Sequence, residues 1–130
     1  MIDNKRILVV VPARGGSKGI KLKNIMPVNG VPLVALVGEI VKQLPYVDRA
    51  IVSTDHPMIA EVAKEAGLDV PFFRPEELSG DFISDVQVLT HALLSMEKMD
   101  ATTYDLVVML QPTSPLRQAD HVTETVMKLL

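Results

Sequence analysis

The sequence predicts an α/β fold, a mostly parallel open sheet with helices on both faces, and three observations carry that reading. Short continuous apolar runs, Ile7 to Val11, Ala50 to Val52 and Leu106 to Leu110, are rich in β-branched residues and apolar on both faces. Strands of a parallel sheet covered on two sides have that character. The segments between them carry apolar residues at spacings of three and four, and no repeat, low-complexity tract or Gly/Ser/Pro-rich linker divides the chain.

The elements follow in order. Ile7 to Val11 predicts the first strand. Leu33, Leu36, Val37, Ile40, Val41 and Leu44 predict a helix ended by Pro45, because proline lacks the amide a helix interior needs. Ala50 to Val52 predicts the second strand, and Ile59, Val62, Ala63 and Ala66 a helix running from Pro57 to a stop at Gly67. Ser53, Thr54 and Asp55 read first as its cap. Val70 to Phe73 is a weaker strand, placed at an edge or a strand start because Pro71 cannot donate to a ladder. Val86, Leu89, Leu93 and Met96 predict a third helix, Leu106 to Leu110 a further strand, and Val122, Val126, Leu129 and Leu130 a last helix opened by Asp120. In such a sheet, ligands bind at the carboxyl ends of the strands, which directs attention to the loops after Val11, Val52, Phe73 and Leu110.

At 130 residues the chain has the size of one domain able to bury a core without staples. It has no Cys, which excludes disulfides, thiolate zinc sites, iron–sulfur clusters and a cysteine nucleophile, and fits a reducing cytoplasmic setting. Apolar runs of five residues fall far short of the roughly 20 that span a bilayer, and no signal-peptide core follows the N-terminus. A net charge of −3 speaks against general affinity for nucleic acid or anionic membrane. The charge is unevenly distributed. Lys5, Arg6, Arg14, Lys18, Lys21 and Lys23 occupy residues 5 to 23 with no acidic residue among them, leaving 7 basic and 16 acidic residues elsewhere.

That basic segment contains Pro12-Ala13-Arg14-Gly15-Gly16-Ser17-Lys18-Gly19 directly after the first strand. Three glycines allow a tight turn with close approach of backbone amides, and Arg14 and Lys18 add positive charge, the requirements of a polyphosphate cradle. The spacing matches neither GxxxxGK[ST] nor GxGxxG, so P-loop and nicotinamide chemistry are disfavoured. A solvated charged loop is the bland alternative.

Gln111-Pro112-Thr113-Ser114-Pro115 follows the last clear strand, with an uncharged polar side chain where the strand meets the site; a proline-stiffened turn explains it equally well. Arg74, held extended by Pro75, could read a base carbonyl or pair a carboxylate, while Ser84 or Asp81 could cap the following helix. His56, His91 and His121 share no ligand spacing and read as surface or capping residues. GxSxG is absent, so a hydrolase reading lacks support.

Taken in order, Pro12-Ala-Arg-Gly-Gly-Ser-Lys-Gly-Ile20, Lys23-Asn24, Val52-Ser-Thr-Asp55, Arg74-Pro-Glu-Glu-Leu78, His91-Ala-Leu93 and Leu110-Gln-Pro-Thr-Ser-Pro-Leu-Arg117 resemble the CMP-acylneuraminate synthetase family of cytidylyltransferases, from about Ile7 to the end of the chain. The synthetase that activates KDO has a different first loop and fits less well. The resemblance implies a Rossmann-like nucleotidyltransferase fold and a cytoplasmic enzyme that transfers CMP from CTP to the anomeric hydroxyl of a nonulosonic acid, with release of pyrophosphate and a need for Mg²⁺. It places Arg14 and Lys18 on the triphosphate as catalytic residues. Ala13, Gly15, Gly16, Ser17 and Asn24 would bind nucleotide, Arg74 the cytosine edge, Ser84 the base or ribose, and Gln111 the acceptor.

Asp85 stands where the family commonly has a small hydroxyl residue. Family members also continue well beyond a position like Leu130, in a portion that carries the Mg²⁺ aspartates, most of the sugar pocket and the extension that builds a homodimer. Residues 1–130 are therefore expected to be the N-terminal, CTP-binding part of a cytidylyltransferase domain, weakly active or inactive alone. A non-catalytic nucleotide-binding module, or a nucleotidyltransferase that activates a different sugar such as KDO, is the alternative.

Overall fold

A computed structural model of the chain describes residues 1–13, 16–17, 20–21, 27–28, 31–79, 83–111, 122–123 and 126–128. The first apolar run forms β1 (Ile7–Pro12), in which Ile7 through Val11 are all fully buried. Two short antiparallel pairs follow, β2 (Gly16–Ser17) with β3 (Ile20–Lys21) and β4 (Pro27–Val28) with β5 (Val31–Pro32). The chain continues into α1 (Leu33–Val41), β6 (Arg49–Ser53), α2 (Pro57–Glu65), a 3₁₀ turn (Glu76–Leu78), α3 (Asp85–Asp100) and β7 (Leu106–Met109). Residues 122–123 and 126–128 are helical, with Val122 and Val126 buried. Asp120 and the two terminal leucines lie outside the described residues.

The sheet runs in the order β6-β1-β7, all parallel, with Val10 paired to Ile51 on one side and to Met109 on the other. Successive strands thus flank β1 on opposite sides, with α1 and α2 packed on one face of the sheet and α3 on the other. Ile7, Val9 and Val11 meet Val34, Val37 and Ile40 of α1 and Ile59 and Ala63 of α2, whereas Leu8 and Val10 meet Ala92 and Met96 of α3. β1 is apolar on both faces because each face has its own helical cover. A reversal of strand order at one strand makes the carboxyl end of that strand a crevice, and here the glycine-rich segment follows it.

Close packing of α1 on α2 depends on Gly38, where a Cβ would stand 2.8 Å from the Ala66 carbonyl oxygen. α2 ends at Glu65 with Ala66 as its cap, and Gly67 follows with a φ of +86° that suits glycine. Among the described residues, no helix is long and apolar enough to cross a membrane.

Two expectations change. The segment from Val70 to Phe73 forms no strand; among the described residues two isolated parallel bridges, Ile51 to Asp69 just before it and Thr54 to Phe73 at its end, are all that pair there. Pro71, between them, has no amide to continue a ladder. The cap of α2 is His56, whose Nδ1 accepts from the Met58 amide, while the Thr54 hydroxyl accepts from the His56 amide. Ser53 and Thr54 are fully buried instead.

The amino ends of the strands are tied by carboxylates. Asp48 accepts from the Ile7 amide at 2.7 Å and Asp105 from the Arg6 amide at 2.8 Å. Burial works to raise the Asp48 carboxyl, but the Ile7 amide, the chain's terminal ammonium and Arg6 outweigh it and hold it below its ordinary value. Nearby, Tyr104 donates to Asp100 at 2.5 Å. Burial, reinforced by that bond, pushes its hydroxyl up to about 12.

Candidate functional site

The carboxyl ends of β1 and β6 meet at Ser53. Its carbonyl, at the last residue of β6, accepts the amide of Ala13 at 3.0 Å, so the chain leaving β1 is anchored one residue before the glycine-rich segment. The same carbonyl accepts Arg74 Nη2 at 2.8 Å, and the Ser53 hydroxyl lies 3.0 Å from Arg74 Nε. Nη1 reaches the Leu78 carbonyl at 3.4 Å, and the Arg74 backbone amide donates to Thr54 at 2.7 Å. Arg74 is only 6% exposed. A buried guanidinium must be hydrogen-bonded to be tolerated, and its rigid fork suits two acceptors on one residue.

Gln111 lies two residues past Met109, the partner of Val10, and is therefore level with Pro12 across the sheet. It is half-buried, with Nε2 3.8 Å from the sulfur of Met109. Ser84 caps α3. Its hydroxyl accepts from the Gln87 amide at 3.2 Å, and its amide donates to the Gln87 side chain at 2.9 Å, a reciprocal capping box. Ser84 and Asp85 are both exposed, at the start of a helix whose amino end favours negative charge. Further along α3, His91 meets Phe72 edge to face at 5.1 Å between ring centres.

The structure thus joins Ala13 and Arg74 through Ser53, puts Gln111 on the other side of β1, and gives Ser84 a capping role. Gly16 and Ser17 lie in β2, opposite Lys21 and Ile20 of β3. Arg14, Gly15, Lys18, Asn24 and Asp81 lie outside the described residues. Sequence reasoning passed over Ser53 as part of a cap. The available signal was a polar residue directly after a buried apolar run, at the strand end where sites form. Among the described residues, no three His, Asp or Glu side chains come together to hold a metal ion, so the Mg²⁺ that the resemblance implies has no site of that kind there.

Comparison with known proteins adds an independent line. A family model described as cytidylyltransferase matches residues 8–130. CMP-N,N'-diacetyllegionaminic acid synthase of Legionella pneumophila is 37% identical over 121 residues, which are 93% of this chain and 52% of that protein. N-acylneuraminate cytidylyltransferase of Escherichia coli is 36% identical, over 93% of this chain and 27% of its own length. Pseudaminic acid cytidylyltransferase of Campylobacter jejuni is 34% identical, over 95% and 53%. The chain therefore spans about half or less of the curated relatives it matches. Among solved structures, a CMP:2-keto-3-deoxy-manno-octonic acid synthetase complexed with CTP superposes with a TM-score of 0.76 at 22% identity, covering 95% of this chain and 47% of that one. A cytidylyltransferase from Leptospira borgpetersenii gives 0.68 at 21%, covering 98% and 49%. At these identities the structures establish a shared fold.

Proposed function

Because the chain belongs to the cytidylyltransferase family, we propose that it is the nucleotide-binding part of an enzyme that transfers CMP from CTP to a nonulosonic acid. The observation that carries this reading is the set of relatives above. They are named for three different nonulosonic acids, yet each matches nearly the whole of this chain at similar identity. The KDO enzyme shares the fold at lower identity.

In the proposed reaction the anomeric hydroxyl oxygen bonds to the α-phosphorus of CTP, the bond from that phosphorus to the bridging oxygen breaks, pyrophosphate leaves, and the hydroxyl proton is lost. Such a transfer depends on positioning and charge neutralisation more than on covalent catalysis. Arg14 and Lys18 neutralise the triphosphate and the charge that develops at the α-phosphate. Amides from Arg14 to Ser17 cradle phosphate oxygens, Ala13 lies beside the nucleotide with its own amide held by the Ser53 carbonyl, Asn24 holds nucleotide, Arg74 faces the cytosine edge, Ser84 the base or ribose, and Gln111 the acceptor. Mg²⁺ would add charge neutralisation at the phosphates, and no described residue is assigned to it. The setting is the cytoplasm, where CTP is available, and the longer protein works as a homodimer.

CTP titration by calorimetry tests the reading. Arg14→Ala and Lys18→Ala should each weaken CTP binding by about tenfold or more, since a charge-assisted contact contributes roughly 1.5–3 kcal/mol. Unchanged affinity in both would remove the cradle. The 130-residue chain alone should release little pyrophosphate with CTP, Mg²⁺ and sialic acid; robust turnover would show that the rest of the enzyme's length is dispensable.

A further inference from the structure

We propose that Ser53 and Arg74 form a clasp that positions the glycine loop, a role that rests on the nucleotide-site reading above and goes beyond any contact between Arg74 and the base. The Ser53 carbonyl is a shared acceptor. It takes the Ala13 amide from one side and Arg74 Nη2 from the other, at 3.0 and 2.8 Å. Nε on the Ser53 hydroxyl gives the guanidinium a second hold on the same residue, at 3.0 Å. Nη1 on Leu78 and the Arg74 amide on Thr54 extend the connection to the segment leading to α3. Ala13, Ser53, Thr54 and Arg74 are all buried, where hydrogen bonds are strong and an unmade one is costly.

Residue 13 immediately precedes Arg14, so the orientation of the Ser53 carbonyl sets the direction in which the chain enters the glycine loop. The clasp makes three segments, the loop entry, the end of β6 and the approach to α3, move as one body. Its benefit to a ligand is preorganisation: phosphates meet a loop whose entry is already fixed. A residue that only read the base would affect CTP and leave a base-free polyphosphate untouched. A positioning residue affects both.

The experiment measures Ala13 amide hydrogen exchange by NMR in the ligand-free 130-residue chain, together with calorimetric affinity for CTP and for inorganic tripolyphosphate. Arg74→Lys keeps the charge and loses the fork. It should speed Ala13 exchange by about tenfold or more and weaken tripolyphosphate by about tenfold, or about 1.4 kcal/mol, and CTP by at least as much. Ser53→Ala, which removes one of the two holds on Ser53, should show the same pattern at smaller size, and it carries the test if circular dichroism shows Arg74→Lys unfolded. A loss of CTP affinity with Ala13 exchange and tripolyphosphate affinity unchanged would overturn the clasp. If the unsubstituted chain binds neither ligand, the nucleotide reading fails by itself, and Ala13 exchange alone decides: faster exchange upholds the clasp, wild-type exchange overturns it.

Discussion

Asp48→Ala should destabilise the chain measurably at neutral pH and less in acid. The carboxylate receives the Ile7 amide at 2.7 Å, and Ile7 is fully buried in the central strand. Removing that acceptor strands a buried donor, at a cost of about 1–3 kcal/mol. The pair with the terminal ammonium, 3.0 Å away, has side chains 45% and 28% exposed and adds about 0–1 kcal/mol after screening. A total near 2 kcal/mol corresponds to a fall in Tm of roughly 7 °C for a domain of this size. The folded-state value of Asp48 lies below its unfolded one. The part of its contribution that depends on ionisation is therefore fully present above the ordinary carboxylate value and is lost as pH falls through the lowered one, while the neutral acid still accepts the Ile7 amide. Asp48→Asn keeps a carbonyl acceptor and should lose about half as much. Urea unfolding followed by circular dichroism from pH 7 to pH 2 reads all three proteins. An Asp48→Ala deficit below about 0.5 kcal/mol at pH 7, or one undiminished at pH 2, would refute the reasoning.

Two further predictions concern packing and the start of α3. Gly38→Ala adds a Cβ 2.8 Å from a backbone oxygen of Ala66. The overpacking cost of about 1–3 kcal/mol should exceed the gain of up to about 1 kcal/mol in helix propensity, and a thermal melt at or above the wild-type midpoint would contradict it. Ser84→Ala removes the cap of α3 and should cost about 1 kcal/mol, which Ser84→Asp should restore. CTP affinity should stay reduced in Ser84→Asp, because the hydroxyl proposed to meet the base or ribose is gone; recovery of both properties would leave Ser84 a cap alone.

Much of the fold was legible because its signals are local. Five consecutive apolar β-formers required a strand buried on both faces, and apolar spacings of three and four marked the helices; Gly67 marked the end of α2 closely, whereas α1 stops at Val41, four residues before Pro45. The segment around Val70 was overread: Pro71 placed it at an edge or a strand start, but its missing amide leaves only isolated bridges on either side. The two-residue strands after β1 carry too few residues for any periodicity, so nothing local marked them in the sequence. Ser53 was misplaced for a different reason: hydroxyl residues before a helix usually cap it, and only the tertiary contact with Arg74, 21 residues on, reveals another use.

By itself, the sequence determined the fold class, the strand ends at which a site belongs, and a family resemblance that the comparisons then supported. These depend on residue type and short spacing, which a chain displays without folding. The tertiary structure alone decided that β1 is flanked on opposite sides by successive strands, that Gly38 permits one helix to approach another, and that Arg74 grips the residue anchoring the glycine loop. Each of these is a contact between segments distant in sequence. Such contacts are fixed by which faces must be buried together and which buried polar groups must find a partner, not by any local pattern.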